Sequence, residues 1–124
     1  MADYSLKRID DMEAAFGGSF KKARAELGVT SFGMQVLDFP ADATGYPEHD
    51  HAEEGQEEVF AVLGGSGTMW VGDQEFELTP EVLVRVGPAE TRKITSGAEG
   101  LRVLAFGGYP GAPFRVKPES ELSG

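Results

Sequence analysis

The sequence has no cysteine, which excludes disulfides, thiolate nucleophiles and cysteine-bound zinc or iron–sulfur centres and leaves any metal chemistry to histidine and carboxylate. Histidine is scarce too, with only two. Positive charge is short: 11 basic against 21 acidic residues give a formal net charge of −10. The only basic cluster, Lys21, Lys22 and Arg24, is interleaved with Asp10, Asp11, Glu13 and Glu26, so no basic face exists and nucleic acid is excluded as a partner. No apolar run approaches the roughly 18 residues of a membrane span, and MADYSLKRIDD has no hydrophobic leader, so no membrane partner and a cytoplasmic location are expected. What is plentiful is glycine, 17 of 124 residues beside 7 prolines, which predicts short elements joined by tight turns around a core supplied by 40% hydrophobic residues.

Over residues 9–27, Ile9, Met12, Phe16, Phe20, Ala23 and Leu27 recur at spacings of three and four, an apolar helical face broken at Gly17-Gly18. One helix or two short helical turns are expected there, with Gly28 as C-terminal cap. From Val29 the period becomes two. Strands are predicted at 31–39, 57–63, 66–71, 74–78, 82–86, 91–95 and 101–106, parted by Gly64-Gly65-Ser66-Gly67, Gly72-Asp73, Thr79-Pro80 and Gly87-Pro88. Such a series implies an all-β antiparallel sandwich or small barrel. The chain divides into an N-terminal arm, 1–30, a β domain, 31–107, and a Gly- and Pro-rich tail, 108–124.

Both histidines fall in Pro47-Glu48-His49-Asp50-His51-Ala52-Glu53. On extended backbone, residues i and i+2 share a face, so His49 and His51 can offer two imidazoles to one ion. Glu58 alternates with Phe60 and Val62 and points inward where they do, while Glu57 faces solvent. An inward carboxylate needs a cation or a hydrogen-bonding partner. Glu53 and Glu54 belong to a loop, and either could replace Glu58 as the acidic ligand. Of Arg92 and Lys93, alternation puts only one inside. Tyr46 stands ahead of the histidines at a cavity mouth, and Phe60, Trp70, Phe76 and Phe106 read as wall and core residues.

These residues resemble the first motif of the small single-domain cupins, G-x5-H-x-H-x3–4-E-x6-G, in His49-Asp50-His51, Glu58 and Gly65. Six residues separate His51 from Glu58 where the family has three or four, and Gly45 lies three residues before His49 instead of five. The second motif should fall in VLVRVGPAETRKITSG, entered through Pro88, but its histidine is missing and Arg92 holds that place. The resemblance covers roughly residues 31–107.

The resemblance implies a cupin-type antiparallel β-barrel (double-stranded β-helix) with a short N-terminal helical segment. It further implies a divalent metal ion, Fe, Mn, Ni or Zn, on His49, His51 and Glu58. Arg92, which cannot ligate a metal, then binds a small anionic ligand, with Tyr46 and Phe60 beside it. Alternatively Arg92 pairs with Glu58 and the barrel is a metal-free binding or sensing module. A catalytic version would be a metal-dependent isomerase, lyase or dioxygenase acting on a small molecule. A homodimer is expected, because the arm's apolar face has little core of its own to cover, with Phe16 and Phe20 as interface or lid residues.

Overall fold

A computed structural model describes residues 2–116, so the end of the expected tail, 117–124, lies outside the described residues. Among the described residues seven antiparallel strands form the sheet: β1 (Ala14–Ala15), β2 (Phe20–Lys21), β3 (Gly33–Phe39), β4 (Glu57–Val71), β5 (Gln74–Leu78), β6 (Leu83–Val86) and β7 (Arg92–Gly108). Their order is β1-β2-β3-β7-β4-β5, with β6 also beside β4.

The glycine-rich signal at 64–67 is a bend, not a turn, and the stretch 97–100 opposite it bends likewise. Strands expected at 57–63 and 66–71 are one strand, β4, and those expected at 91–95 and 101–106 are one strand, β7. The β4–β7 ladder slips between Val62 and Gly64 and again between Gly65 and Gly67, and there the paired strands fold over. The physical reason is close backbone approach: a Cβ on Gly65, at φ +76°, would stand 2.1 Å from the Gly100 carbonyl oxygen, and one on Gly67 2.4 Å from that of Thr95.

The fold-over places the first half of β4 between the second half of β7 and β6, and its second half between the first half of β7 and β5. Inward residues of both halves, among them Leu37, Phe60, Val62, Met69, Leu78, Ile94 and Val103, form the main core. The Gly72-Asp73 turn joins β4 to β5 as expected, with Val71 opposite Gln74.

The arm takes the second of the two expected forms, short helical turns either side of the Gly17-Gly18 break, the first being a 3-10 turn at Ile9–Asp11. Only α1 (Ala23–Leu27) is an α-helix, closed by Gly28 at φ +78° with its N–H on the Arg24 carbonyl, as a C-terminal cap requires. Ahead of it, positive φ at Phe16, Gly17 and Gly18 reverses the chain and produces the small β1–β2 hairpin. The three-and-four spacing instead serves packing on the outer face of β3, where Met12 and Ala23 meet Val36, with Ile9, Leu27, Met34 and Leu104 around them. Arg102 fastens the arm by donating to Asp10 at 2.6 Å and Asp38 at 2.7 Å. Much of the apolar face that argued for a homodimer is thus covered within the chain. No helix of the described residues is long and apolar enough to cross a membrane.

Candidate metal and ligand site

The histidine segment is held by backbone pairing to the start of β7. His49 N–H donates to the Arg92 carbonyl at 3.1 Å, Arg92 N–H returns a bond to His49 at 2.8 Å, and His51 N–H donates to Pro88 at 2.8 Å. The pair thus sits on an isolated bridge rather than a full strand, yet the two rings still face one cavity, their centroids 5.1 Å apart. That cavity holds about 550 Å³ and opens between the arm and the barrel end, with Glu58 in its wall.

Ligand atoms of His49, His51 and Glu58 all lie within 4.8 Å of one another. Each imidazole is oriented by a bond from its other nitrogen: His49 Nδ1 to the Pro47 carbonyl at 2.8 Å, and His51 Nδ1 to the Glu54 carboxylate. A metal-binding histidine is normally braced in this way. His51 Nε2 stands 3.3 Å from Glu58 Oε1, a separation that two ligand atoms each about 2.1 Å from one ion can adopt. The cluster is compatible with a divalent metal.

The long spacing between His51 and Glu58 has a local purpose. Asp50 Oδ1 accepts from Ala52 N–H at 3.0 Å and Gly55 N–H donates to the His51 carbonyl at 2.8 Å, so the loop curls and brings Glu54 back onto His51. Glu54, expected in a solvated loop, therefore braces the histidine. Burial alone would depress the His51 pKa, but hydrogen bonds and charge from Glu58 and then Glu54 outweigh it and hold the imidazole above its ordinary range.

Arg92 is wholly buried and Glu58 is 3% exposed. One guanidinium nitrogen donates to Glu58 Oε1 at 2.8 Å and the other to the Gly87 carbonyl at 2.9 Å. Glu58 belongs to the first half of β4 and Arg92 to the first half of β7, so this pair ties the two folded halves together at the end away from the glycine bends. Arg92 does not line the cavity, so the pairing arrangement is the one the structure holds, not the anion-facing one. Phe60 is core and likewise does not line it, whereas Tyr46 does. Lys93 faces the other way and lies over the Trp70 ring. Glu57, outward as expected, pairs with Arg85.

The sequence alone did not single out two buried amides. Gln35, on the inner face of β3 with Leu37 and Phe39, lines the cavity. Gln56, two residues before Glu58, packs against Gly107 with neither amide atom bonded. The strand period was the available signal, since Gln35 stands in phase with Leu37 and Phe39, as Gln56 does with Glu58 and Phe60.

Superposition on solved structures decides the architecture. A cupin protein from Bacteroides fragilis matches with a TM-score of 0.73 over 94% of this chain and 93% of its own, at 19% identity. The fold is that of the cupins. The cupin domain of Cnp3 from Schizosaccharomyces pombe aligns with a TM-score of 0.58 over 64% of this chain and 53% of its own, at 21% identity. A sugar phosphate isomerase of the cupin superfamily from Silicibacter pomeroyi gives 0.62 over 71% and 57%, at 18% identity. No sequence-family profile matches the chain, and no curated protein matches it. At these identities the likeness speaks for the cupin fold, and the chemistry must come from the residues themselves.

Proposed function

We propose that this cupin barrel binds a small molecule in its cavity against a divalent cation held by His49, His51 and Glu58. The observation that carries the reading is the convergence of these three donors within 4.8 Å at the cavity wall. A cation bound there would act as a Lewis acid toward a ligand oxygen. The chain's own residues set the surroundings. Pro47 and Glu54 fix the imidazoles, and Arg92 offsets the charge of Glu58 and weakens its hold on a cation. Burial, together with the Glu58 charge, raises the Tyr46 pKa so far that its phenol stays protonated. Tyr46 is thus a neutral hydrogen-bonding group in the cavity and not a base.

The 2.8 Å Arg92–Glu58 contact favours a second reading, a metal-free binding module in which that pair is structural. Isothermal titration with Mn²⁺, Fe²⁺, Ni²⁺ and Zn²⁺ separates the two. Saturable binding lost in His49→Ala supports the first, and silence toward all four ions leaves the second.

A further inference from the structure

The cavity's lining is uneven in chemistry. One side carries His49, His51 and Glu58; the rest is dominated by aromatic and other apolar side chains, and none of the described residues lining it is a lysine or arginine. Phe20 and Tyr46 lie nearly parallel, with centroids 6.1 Å apart, and Phe39 meets both edge-on. Such rings offer flat faces and polarised edges to another ring. Arg92, the cation nearest Glu58, has its two terminal nitrogens committed to Glu58 and Gly87. A phosphate or carboxylate lodged among the aromatic rings would meet no cationic side chain among the described residues.

Within this apolar region stands one amide. Gln35 is 5% exposed, its Oε1 is buried without a hydrogen-bond partner, and it faces the barrel interior across Ala105 from Phe60. A buried polar group left unpaired costs about 1–3 kcal/mol, and a ligand that pairs with it recovers that cost. An amide can rotate to present either oxygen or N–H₂, so it suits a hydroxyl, a carbonyl or another amide.

From this geometry we infer the ligand class: a flat, uncharged, mainly aromatic molecule whose body lies among Phe20, Phe39 and Tyr46 and whose one hydrogen-bonding group meets the Gln35 amide. The inference rests on the cavity being a small-molecule site and adds what that molecule is. In the cation-free cavity it disfavours sugar phosphates and other polar anions, so a neutral ligand takes the place of the anionic one expected beside Arg92. The volume, about 550 Å³, is ample for a bicyclic ring system.

The test titrates the full chain, kept metal-free with a chelator, at neutral pH with 2-naphthol, with 2-naphthoate, which keeps the ring body and adds an anion, and with glucose 6-phosphate. Saturable binding of 2-naphthol, at least tenfold tighter than either anion, is expected. Gln35→Met, which keeps chain length and removes the amide, should weaken 2-naphthol about five- to tenfold. Gln35→Leu should do the same, and because an unpaired buried amide is being replaced by an apolar group, both variants should melt no lower than wild type. The ligand class is overturned by an anion binding as tightly as 2-naphthol, by unchanged 2-naphthol affinity in both Gln35 variants, or by no 2-naphthol binding at all. A parallel Mn²⁺ titration without chelator separates the levels: saturable Mn²⁺ binding with failed 2-naphthol overturns the ligand class and leaves the metal site standing, whereas silence toward Mn²⁺ and all three probes overturns both.

Discussion

The two ends of the barrel interior are built on opposite principles. At the glycine bends, Val62, Leu101 and Val103 pack in an apolar end made possible by missing side chains: Gly65 and Gly67 let backbone touch backbone. At the far end, Glu58, Arg92 and His51 fill the interior with charge, and the two halves of the folded sheet are joined by an ion pair rather than by packing. Burial at the first end stabilises without regard to partner, whereas every group at the second depends on a named neighbour. The charged end should therefore be the more brittle, and it is the end where the cavity lies.

The largest effect should come from breaking the pair on one side only. Arg92→Ala strands a buried carboxylate and should cost about 3–5 kcal/mol in chemical denaturation, while Arg92→Met combined with Glu58→Leu should recover most of that loss. If the single variant is as stable as wild type, the end-to-end contrast fails.

At the apolar end, Gly65→Ala forces a Cβ into the Gly100 carbonyl at a backbone angle unsuited to it, and about 3 kcal/mol of destabilisation is expected. Gly64→Ala is the control. A Cβ at Gly64 meets nothing within 4 Å, so that variant should stay within about 0.5 kcal/mol of wild type. Equal melting of the two would show that the bend does not depend on close backbone approach.

The same contrast explains what was legible in the sequence. Inward positions follow a period of two and need no knowledge of what lies opposite, so Phe60, Val62 and the inward Glu58 could be read directly, as could the shared face of His49 and His51. The Arg92–Glu58 bond spans 34 positions along the chain, and nothing local says which way a guanidinium will turn; both its anion-facing and its paired arrangement were open. Glycine runs are ambiguous for a related reason. A Gly-Gly-Ser-Gly run serves a tight turn or a crowded bend equally well, and only the partner strand decides. The arm's three-and-four spacing left one helix and two short turns open, and the turns at Ile9–Asp11 and Ala23–Leu27 are what forms: together they place Ile9, Met12, Ala23 and Leu27 on one sheet face without a continuous helix.

A smaller effect should appear at the brace behind His51. Glu54→Gln keeps the shape and removes the charge that orients the imidazole, so metal affinity should fall about 10–100-fold in titration with Mn²⁺ or Zn²⁺, with a change in melting temperature of no more than a few degrees. Unchanged affinity would mean that Glu54 only closes the loop.

The finest distinction between the two ends is their response to pH, because the core residues at the apolar end, Val62, Leu101 and Val103, carry no titratable group. His51 has its pKa raised in the fold against the pull of burial, by Glu58 and Glu54. A group whose folded pKa lies above its unfolded value of about 6.5 contributes stability that is fully present below that value and is lost as pH rises through the folded one. Metal-free protein should therefore melt at progressively lower temperature as pH is raised through this window, and His51→Gln should flatten that slope. With a divalent cation bound the sign reverses, since the ion needs the neutral imidazole and competes with the proton. Melting curves taken with chelator and with excess Zn²⁺ should accordingly diverge as pH rises, and parallel curves in the two conditions would remove His51 from the ligand set.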